Sequence, residues 1–193
     1  FLKFTGTTTL ASAADNAGAM VHLQTTTLSS DTTQIDFSNV FSATYKSYLF
    51  VFNQLKSKST SDYFIGRFFT DTGTTAYTSS NYEIATGYAR AASGADNDAS
   101  GTSWSLGYAR FAGNVFHQNT PGSGHLYVHN PFDSGNRVTM VGHLGVHDGT
   151  YHVSAHYFGM VAANTQFYGM RFLTTSSDLG DGTSISLYGL ANS

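Results

Sequence analysis

Short runs in which apolar and polar residues alternate recur along this chain, and they limit its fold more than any other feature. Residues 125–129, 137–141 and 151–157 each alternate in this way, and clusters of Gly, Asn, Asp and Ser separate the runs. A repeat of two residues is the period of a β-strand with one buried face. Roughly eight to ten such strands are predicted, with few helices. The sequence therefore predicts an all-β fold, an antiparallel, jelly-roll-like β-sandwich.

The strand pairing can also be partly predicted. Residues 45–55 are almost continuously apolar, which indicates a central strand covered on both faces, with residues 63–69 as its neighbour. Two hairpins are expected, one at Asp148-Gly149 and a longer one through residues 176–182. We expect residues 1–33 to be an extended, partly irregular N-terminal arm whose alanine-rich part, 11–19, is the best helix candidate. Residues 34–193 then form a single β-sandwich domain.

The scarcity of charge limits the functions that the chain can have. Asp, Glu, Lys and Arg make up 11% of 193 residues, whereas about a quarter is usual for soluble proteins. Extensive contact surfaces are depleted in Lys, Glu and Asp. The composition therefore indicates a protein that works packed against copies of itself or against another surface.

Several partners are not expected. The net charge is −3, and the nine basic residues form no run, which argues against a nucleic-acid partner. No stretch approaches 18 apolar residues, so no membrane partner is expected. The chain has no cysteine, which excludes disulfides and thiolate metal sites.

Histidine is the first candidate for special chemistry. Seven of the eight histidines lie between residues 117 and 156. Two histidines four apart on one strand are about 13 Å apart and cannot chelate one ion. A hairpin at 148–149 would, however, place His143 or His147 opposite His152 or His156. The cluster is then either a metal or pH-sensitive site, or a polar strand face that supplies hydrogen bonds. No acidic residue is placed as a third ligand, so we assign no metal.

A second candidate is a calcium loop. Asp96, Asp98 and Ser100, followed by Gly101, match the first half of a helix-loop-helix calcium site. The twelfth position, however, is Gly107 rather than Glu, and no flanking helices are expected. A solvated loop is the favoured interpretation, and no cofactor is expected.

The sequence does not indicate an enzyme. Eleven of the twelve acidic residues are Asp, and most stand in turns where Asp bonds its own backbone. No nucleophile elbow, phosphate-binding loop or HExxH motif is present. No catalytic residue is therefore assigned.

Aromatic residues are the third candidate. Trp104 is the only tryptophan and stands among Tyr82, Tyr88 and Tyr108. These four rings are a candidate platform for a sugar ring of a glycan. The alternative is that they fill the core or a subunit interface, as aromatic residues often do.

The segments 41–52 (FSATYKSYLFVF), 64–68 (FIGRF) and 182–190 (GTSISLYGL) together resemble a group of small structural proteins of tailed bacteriophages. The group includes capsid decoration and fibre-knob proteins, especially of marine and cyanobacterial phages. The resemblance covers about the last three quarters of the chain. It implies a jelly-roll-like β-sandwich, a location in the virion and a homotrimer, and it implies no catalytic residues.

Three functions of the chain are therefore considered. The first is a capsid decoration, or cement, protein on the outer surface of the virion, which stabilises the shell as a trimer. Its partners would be copies of itself and the major capsid protein or another virion protein, with the arm lying on the shell or on a neighbouring subunit. The second is a tail-fibre or spike knob that binds host-surface glycan. The third is a polysaccharide-active enzyme.

Overall fold

The structure, a computed structural model, describes residues 20–59, 62–92, 95–96, 99–112, 120–147 and 150–191, without the side chains of residues 88, 90–92, 95–96, 99–105 and 112. Thirteen β-strands run through these residues. The described residues contain no helix long and apolar enough to cross a membrane. The strands are β1 (Met20–Thr27), β2 (Gln34–Phe37), β3 (Ser47–Leu55), β4 (Phe64–Phe69), β5 (Tyr82–Ala92), β6 (Ala95–Asp96), β7 (Ala99–Leu106), β8 (Ala109–Ala112), β9 (Gly122–His129), β10 (Thr139–His147), β11 (His152–Val161), β12 (Gly169–Thr174) and β13 (Ser184–Leu190).

The strands form two antiparallel sheets that pack together. The larger sheet has nine strands in the order β1-β13-β3-β9-β10-β11-β5-β6, and β7 also pairs with β5. The smaller sheet has the order β2-β12-β4-β8. The predicted all-β sandwich is therefore confirmed, whereas a jelly-roll order of connections stays a prediction.

The core between the sheets is mainly aromatic. Alternation along each strand places one set of residues inward, as Ile185 and Leu187 show on β13, where both are fully buried. Phe172 of the smaller sheet lies against Phe50 and Phe52 of the larger, with ring centroids 4.8 and 5.3 Å apart. Rings of this size bury a large apolar area, and such burial is the main force that holds two sheets together.

Two predicted strand neighbours are wrong. The connection through residues 176–182 is not a hairpin, because β12 pairs with β2 and β4 while β13 pairs with β1 and β3. It crosses from one sheet to the other. Likewise β4 is not the neighbour of β3, which lies between β13 and β9. Strand β3 is nevertheless central in its sheet, as predicted, but its second face, with Val51 half-buried and Asn53 exposed, is not fully covered. An apolar run shows that a strand is buried but does not identify the sheet to which it belongs.

The predicted arm boundary at residue 33 is also wrong for the part of the arm that the structure describes. Strand β1 pairs with β13 from Met20 opposite Leu190 to Thr27 opposite Ser184. Val21 and Leu23 alternate with polar residues, and Leu23 packs against the core, so this segment belongs to the sandwich. Residues 1–19, with the helix candidate, lie outside the described residues.

Candidate docking face

The side of the larger sheet that points away from the core, called here the outer face, carries almost no charge. Among the outward residues whose side chains the structure describes, Glu83 is the sole one with a formal charge at neutral pH, histidine being counted as neutral. Asp96 on β6 pairs with Ala91, two residues beyond the outward Ala89, and its side chain is not described. The outward positions are Met20, His22, Thr25 and Thr27 on β1; Ser184, Ser186, Tyr188 and Leu190 on β13; Ser47, Leu49, Val51 and Asn53 on β3; Ser123, His125, Tyr127 and His129 on β9; Thr139, Val141, His143, Gly145 and His147 on β10; His152, Ser154, His156, Phe158 and Met160 on β11; and Glu83, Ala85, Gly87 and Ala89 on β5. Hydroxyl, imidazole and apolar groups therefore cover a face that spans the sheet.

Two large apolar side chains are exposed at the middle of the outer face. Phe158 is 54% exposed and Val141 is 41% exposed, and the two residues are directly opposite each other on β11 and β10. Tyr127 is opposite Val141 on the other side, and Ala85 is opposite Phe158. An exposed apolar cluster with a polar rim marks an interaction surface more often than a solvated one.

A row of histidines crosses the same face beside this cluster. His143 is directly opposite His125 on β9 and directly opposite His156 on β11. The ring centroids are 6.3 Å apart for His125 and His143, and 4.7 Å apart for His143 and His156. A second pair, His147 and His152, has centroids 4.9 Å apart. The predicted alignment of two histidine pairs across the β10–β11 hairpin is therefore confirmed.

The imidazoles lie in ring contacts and hydrogen bonds. The Nε2 atom of His143 is 2.8 Å from the hydroxyl oxygen of Ser154, and the Nδ1 atom of His129 is 2.8 Å from that of Ser47. Within the described ranges, no group of three or more His, Cys, Asp or Glu residues is placed to hold a metal ion. His117 lies outside those ranges.

Burial of His143 lowers its pKa below the ordinary 6.5, and the neighbouring His156 and His125 lower it further. The unfolded chain therefore binds a proton at this residue more readily than the folded protein. The contribution of His143 to stability is complete above pH 6.5 and is lost as the pH falls through 6.5 towards the lower folded pKa.

We therefore expect the melting temperature to fall between pH 7.5 and 5.5, and to fall less in a His143→Gln variant, whose amide can still bond Ser154. The measurement is thermal unfolding across this pH range. His22→Gln, at the edge strand of the same sheet, is the control for loss of one imidazole. Equal pH slopes for the wild type and His143→Gln would contradict the prediction.

One member of the predicted aromatic platform, Tyr82, does not lie at the surface. Tyr82 is fully buried, and its hydroxyl accepts a hydrogen bond from the backbone of Phe68 at 3.0 Å and donates one to the carbonyl of Tyr77. Burial raises the pKa of Tyr82 far above its ordinary value. This ring is therefore a core residue, and its place in the platform is wrong. Tyr108 is half-buried, under the Arg67 guanidinium.

The remaining predicted site residues lie largely outside the described side chains. This is so for Tyr88 on β5 and Trp104 on β7. Of the calcium candidates, Asp96 ends the short strand β6, opposite Ala91. Asp98 is outside the described residues, and the side chain of Ser100 is not described.

Sequence reasoning missed a cleft at one end of the sandwich, called here the end cleft. It has a volume of about 240 Å³ and is lined by the loop before β3 and the loop after β9. Its lining includes the side chains of Ser42, Tyr45, Lys46, Asn130, Phe132 and Asp133. The two loops are more than eighty residues apart in sequence, so no local motif reveals the cleft. In the sequence, the turn-forming run at 130–136 indicates one of these two loops but not the cleft itself.

The outer face and the end cleft thus differ in chemistry. The face is broad and uncharged, while the cleft is small and joins aromatic rings to an amide, an ammonium and a carboxylate. No family model, curated protein or solved structure matches this chain.

Proposed function

We propose that this chain is a structural protein of a virion, a capsid decoration subunit that stabilises the shell as a homotrimer, and that copies pack through the outer face. The observation that carries the proposal is the outer face, where Glu83 is the sole formal charge among the outward residues whose side chains the structure describes. The virion setting and the major capsid protein as second partner are supported by the sequence resemblance.

An uncharged face suits a permanent contact because moving a charge out of water is costly unless it is paired. Hydroxyl groups avoid that cost, since Ser and Thr can both donate and accept hydrogen bonds across an interface. Thr25 and Ser186 already do so within the sheet, with their hydroxyl oxygens 2.8 Å apart. Apolar area buried around Phe158 then contributes about 25 cal/mol per Å².

Shell stabilisation follows from repetition of this contact. A trimer holds three copies of the shell-binding surface together, so once one copy binds, the other two do so at a high effective concentration. Each trimer that spans a seam between shell subunits resists their separation. The sandwich is suited to this role because two packed sheets with an aromatic core change shape little under load.

Phe158→Asp is expected to weaken self-association by at least about 100-fold, because a carboxylate buried without a partner costs several kcal/mol. The measurement is sedimentation velocity of the 193-residue chain over a range of concentrations. We expect the wild type to form a species of three times 20.7 kDa and the variant to remain at 20.7 kDa.

The matched control is Ser80→Asp, which adds the same charge at an exposed position in the loop before β5, outside the strands that form the outer face. This variant should associate as the wild type does. A wild-type chain that stays monomeric throughout, or a Phe158→Asp variant that associates as well as Ser80→Asp, would overturn the outer face as the interface. The virion setting has a separate test, which is detection of peptides of this chain in gradient-purified particles of a phage that encodes it.

The alternative function, a tail-fibre or spike knob that binds host-surface glycan, is favoured by a different observation. The end cleft places two aromatic rings beside an amide, an ammonium and a carboxylate, and rings with a few polar groups are a common arrangement of small-molecule sites. It replaces the Tyr82, Tyr88, Trp104 and Tyr108 platform as the candidate glycan site.

A further inference from the structure

We propose that the end cleft binds one neutral pyranose residue of a glycan. The rings of Tyr45 and Phe132 would hold the apolar face of the sugar, and Asn130 and Asp133 would bind its hydroxyl groups. The site lies at the end of the sandwich, where β3 begins and β9 ends, and the trimer interface proposed above lies on the outer face. It therefore does not depend on that proposal.

Both aromatic rings are held in place before any ligand binds. The ring of Tyr45 covers Gly189 so closely that a Cβ atom there would lie 2.6 Å from it, and it also packs edge-on against Tyr48 with centroids 5.8 Å apart. The ring of Phe132 packs edge-on against Tyr168 at 5.3 Å. The negative face of a fixed ring attracts the C–H groups on one side of a pyranose, and a rigid ring loses little entropy on binding.

Asn130 supplies polar groups that are not used elsewhere. Its backbone N–H donates to the carbonyl of Lys46 at 2.7 Å, but its side-chain amide makes no hydrogen bond with the described residues. Its φ of 56° lies in the left-handed region, which glycine adopts without strain. An asparagine is more strained than a glycine in this backbone conformation. Its side chain, however, supplies one hydrogen-bond acceptor and two donors, which match adjacent hydroxyl groups of a sugar.

Asp133 is a fixed acceptor on the same loop as Asn130. Its carboxylate accepts hydrogen bonds from the amide of Asn136 and the backbone of Gly135, both at 2.8 Å. These bonds lower the pKa of Asp133, so the group remains ionised at neutral pH. Lys46 lies 3.8 Å away and balances its charge. The cleft is thus neutral overall, and a sugar carboxylate would meet Asp133, which favours an uncharged sugar.

The size of the cleft sets the expected ligand and affinity. A volume of about 240 Å³ lies below the range of sites for drug-sized ligands, about 300–1,000 Å³, and suits a single ring. A contact of this size is expected to give a dissociation constant of about 1 mM. Such affinity becomes useful when several copies act together on a surface that displays many glycans.

The test is titration of the isotopically labelled chain, followed by NMR chemical shifts, with the methyl glycosides of glucose, galactose, mannose and N-acetylglucosamine. We expect at least one to bind saturably, with shifts at the end cleft. Asn130→Gly should weaken that binding at least about tenfold, since two or more hydrogen bonds are lost. The same change should leave the melting temperature equal or higher, because glycine relieves the left-handed backbone.

Asn39→Gly is the matched control, because Asn39 also has a positive φ, 52°, and does not line the cleft. Its binding should equal that of the wild type. Failure of all four glycosides to bind, or equal binding by folded Asn130→Gly, would overturn the site. Tighter binding of methyl glucuronoside would overturn the neutral class. Phe158→Asp should bind the monosaccharide as the wild type does, so loss of the trimer and loss of the sugar site are distinguishable.

Discussion

Phe172→Ala is expected to lower the free energy of unfolding by about 3–5 kcal/mol, the usual cost of removing a buried phenylalanine ring. Phe172 is completely buried between the two sheets. Its ring lies 4.8 Å from that of Phe50, 5.3 Å from that of Phe52 and 5.7 Å from that of Phe64, measured between centroids. Alanine would leave a cavity that these rings cannot fill without moving two sheets, and the lost contacts would add to the lost transfer free energy.

The chain offers a matched control in Phe158→Ala, which removes the same ring from the outer face, where Phe158 is 54% exposed. That change should alter the stability of the monomer by no more than about 0.5 kcal/mol. Urea denaturation of both variants is measured at a concentration low enough that association does not contribute. Similar losses in the two variants would show that the aromatic layer between the sheets is not what holds them together.

The parts of the fold that could be predicted are those that depend on neighbouring residues in sequence. The alternation of residues 143–147 and 152–156 predicts both strands and the histidines that share a face, because a slip of one residue would turn every buried side chain outward. It left open which histidines lie opposite each other, and the structure pairs His143 with His156 and His147 with His152. The same local logic identified β3 as a central strand.

The parts that could not be predicted depend on which sheet a strand joins. Strands β12 and β13 are close in sequence and lie in different sheets, and nothing in their apolar pattern distinguishes a hairpin from a crossover. The prediction that Tyr82 lies at the surface was wrong for a related reason. Its alternation with Glu83 defines two faces but does not say which one is buried, and the inward position of Tyr82 follows from the pairing of β5 with β11. The end cleft needs two distant loops to meet, and the turn-forming run at 130–136 indicates only one of them in the sequence.

The two sheets differ in how they present charge, and this contrast bears on the docking proposal. The outward side of the smaller sheet carries Asp36, Arg67, Arg110 and Arg171. Arg171 forms two hydrogen bonds of 2.7 Å with the carboxylate of Asp36, as on an ordinary solvated surface. A chain that merely contained few charges would be poor in charge on both outward sides. Among the described side chains, charge is instead concentrated on the outward side of the smaller sheet and scarce on that of the larger sheet, which supports the outer face as the surface that leaves water.

Asp62→Ala is the second substitution expected to have a large effect, lowering the free energy of unfolding by about 3 kcal/mol. Asp62 is 1% exposed, and its carboxylate accepts hydrogen bonds from the backbone of Thr175 at 2.9 Å and the hydroxyl of Ser177 at 2.7 Å. It also accepts one from the backbone of Tyr63 at 2.8 Å. Alanine would leave these part-buried donors without their acceptor, at up to about 1–3 kcal/mol for each group left unsatisfied. The donors of Thr175 and Ser177 lie where the chain leaves β12 and crosses to β13, so the carboxylate holds the crossover in place.

The stabilisation by the Asp62 carboxylate depends on pH in a defined direction. Burial raises the pKa of Asp62, but the hydrogen bonds from Thr175, Ser177 and Tyr63 outweigh it, and the pKa lies below the ordinary 3.8. The stabilisation is therefore complete above pH 3.8 and is lost as the pH falls through the lower folded pKa. The difference between wild type and Asp62→Ala, measured by urea denaturation, should be constant from pH 7 to 5 and shrink towards pH 2. Asp71→Ala, which removes an exposed carboxylate that accepts from the backbone of Thr75, should cost less at every pH. A deficit for Asp62→Ala that stayed constant down to pH 2 would mean that the side chain acts through packing and not through its charge.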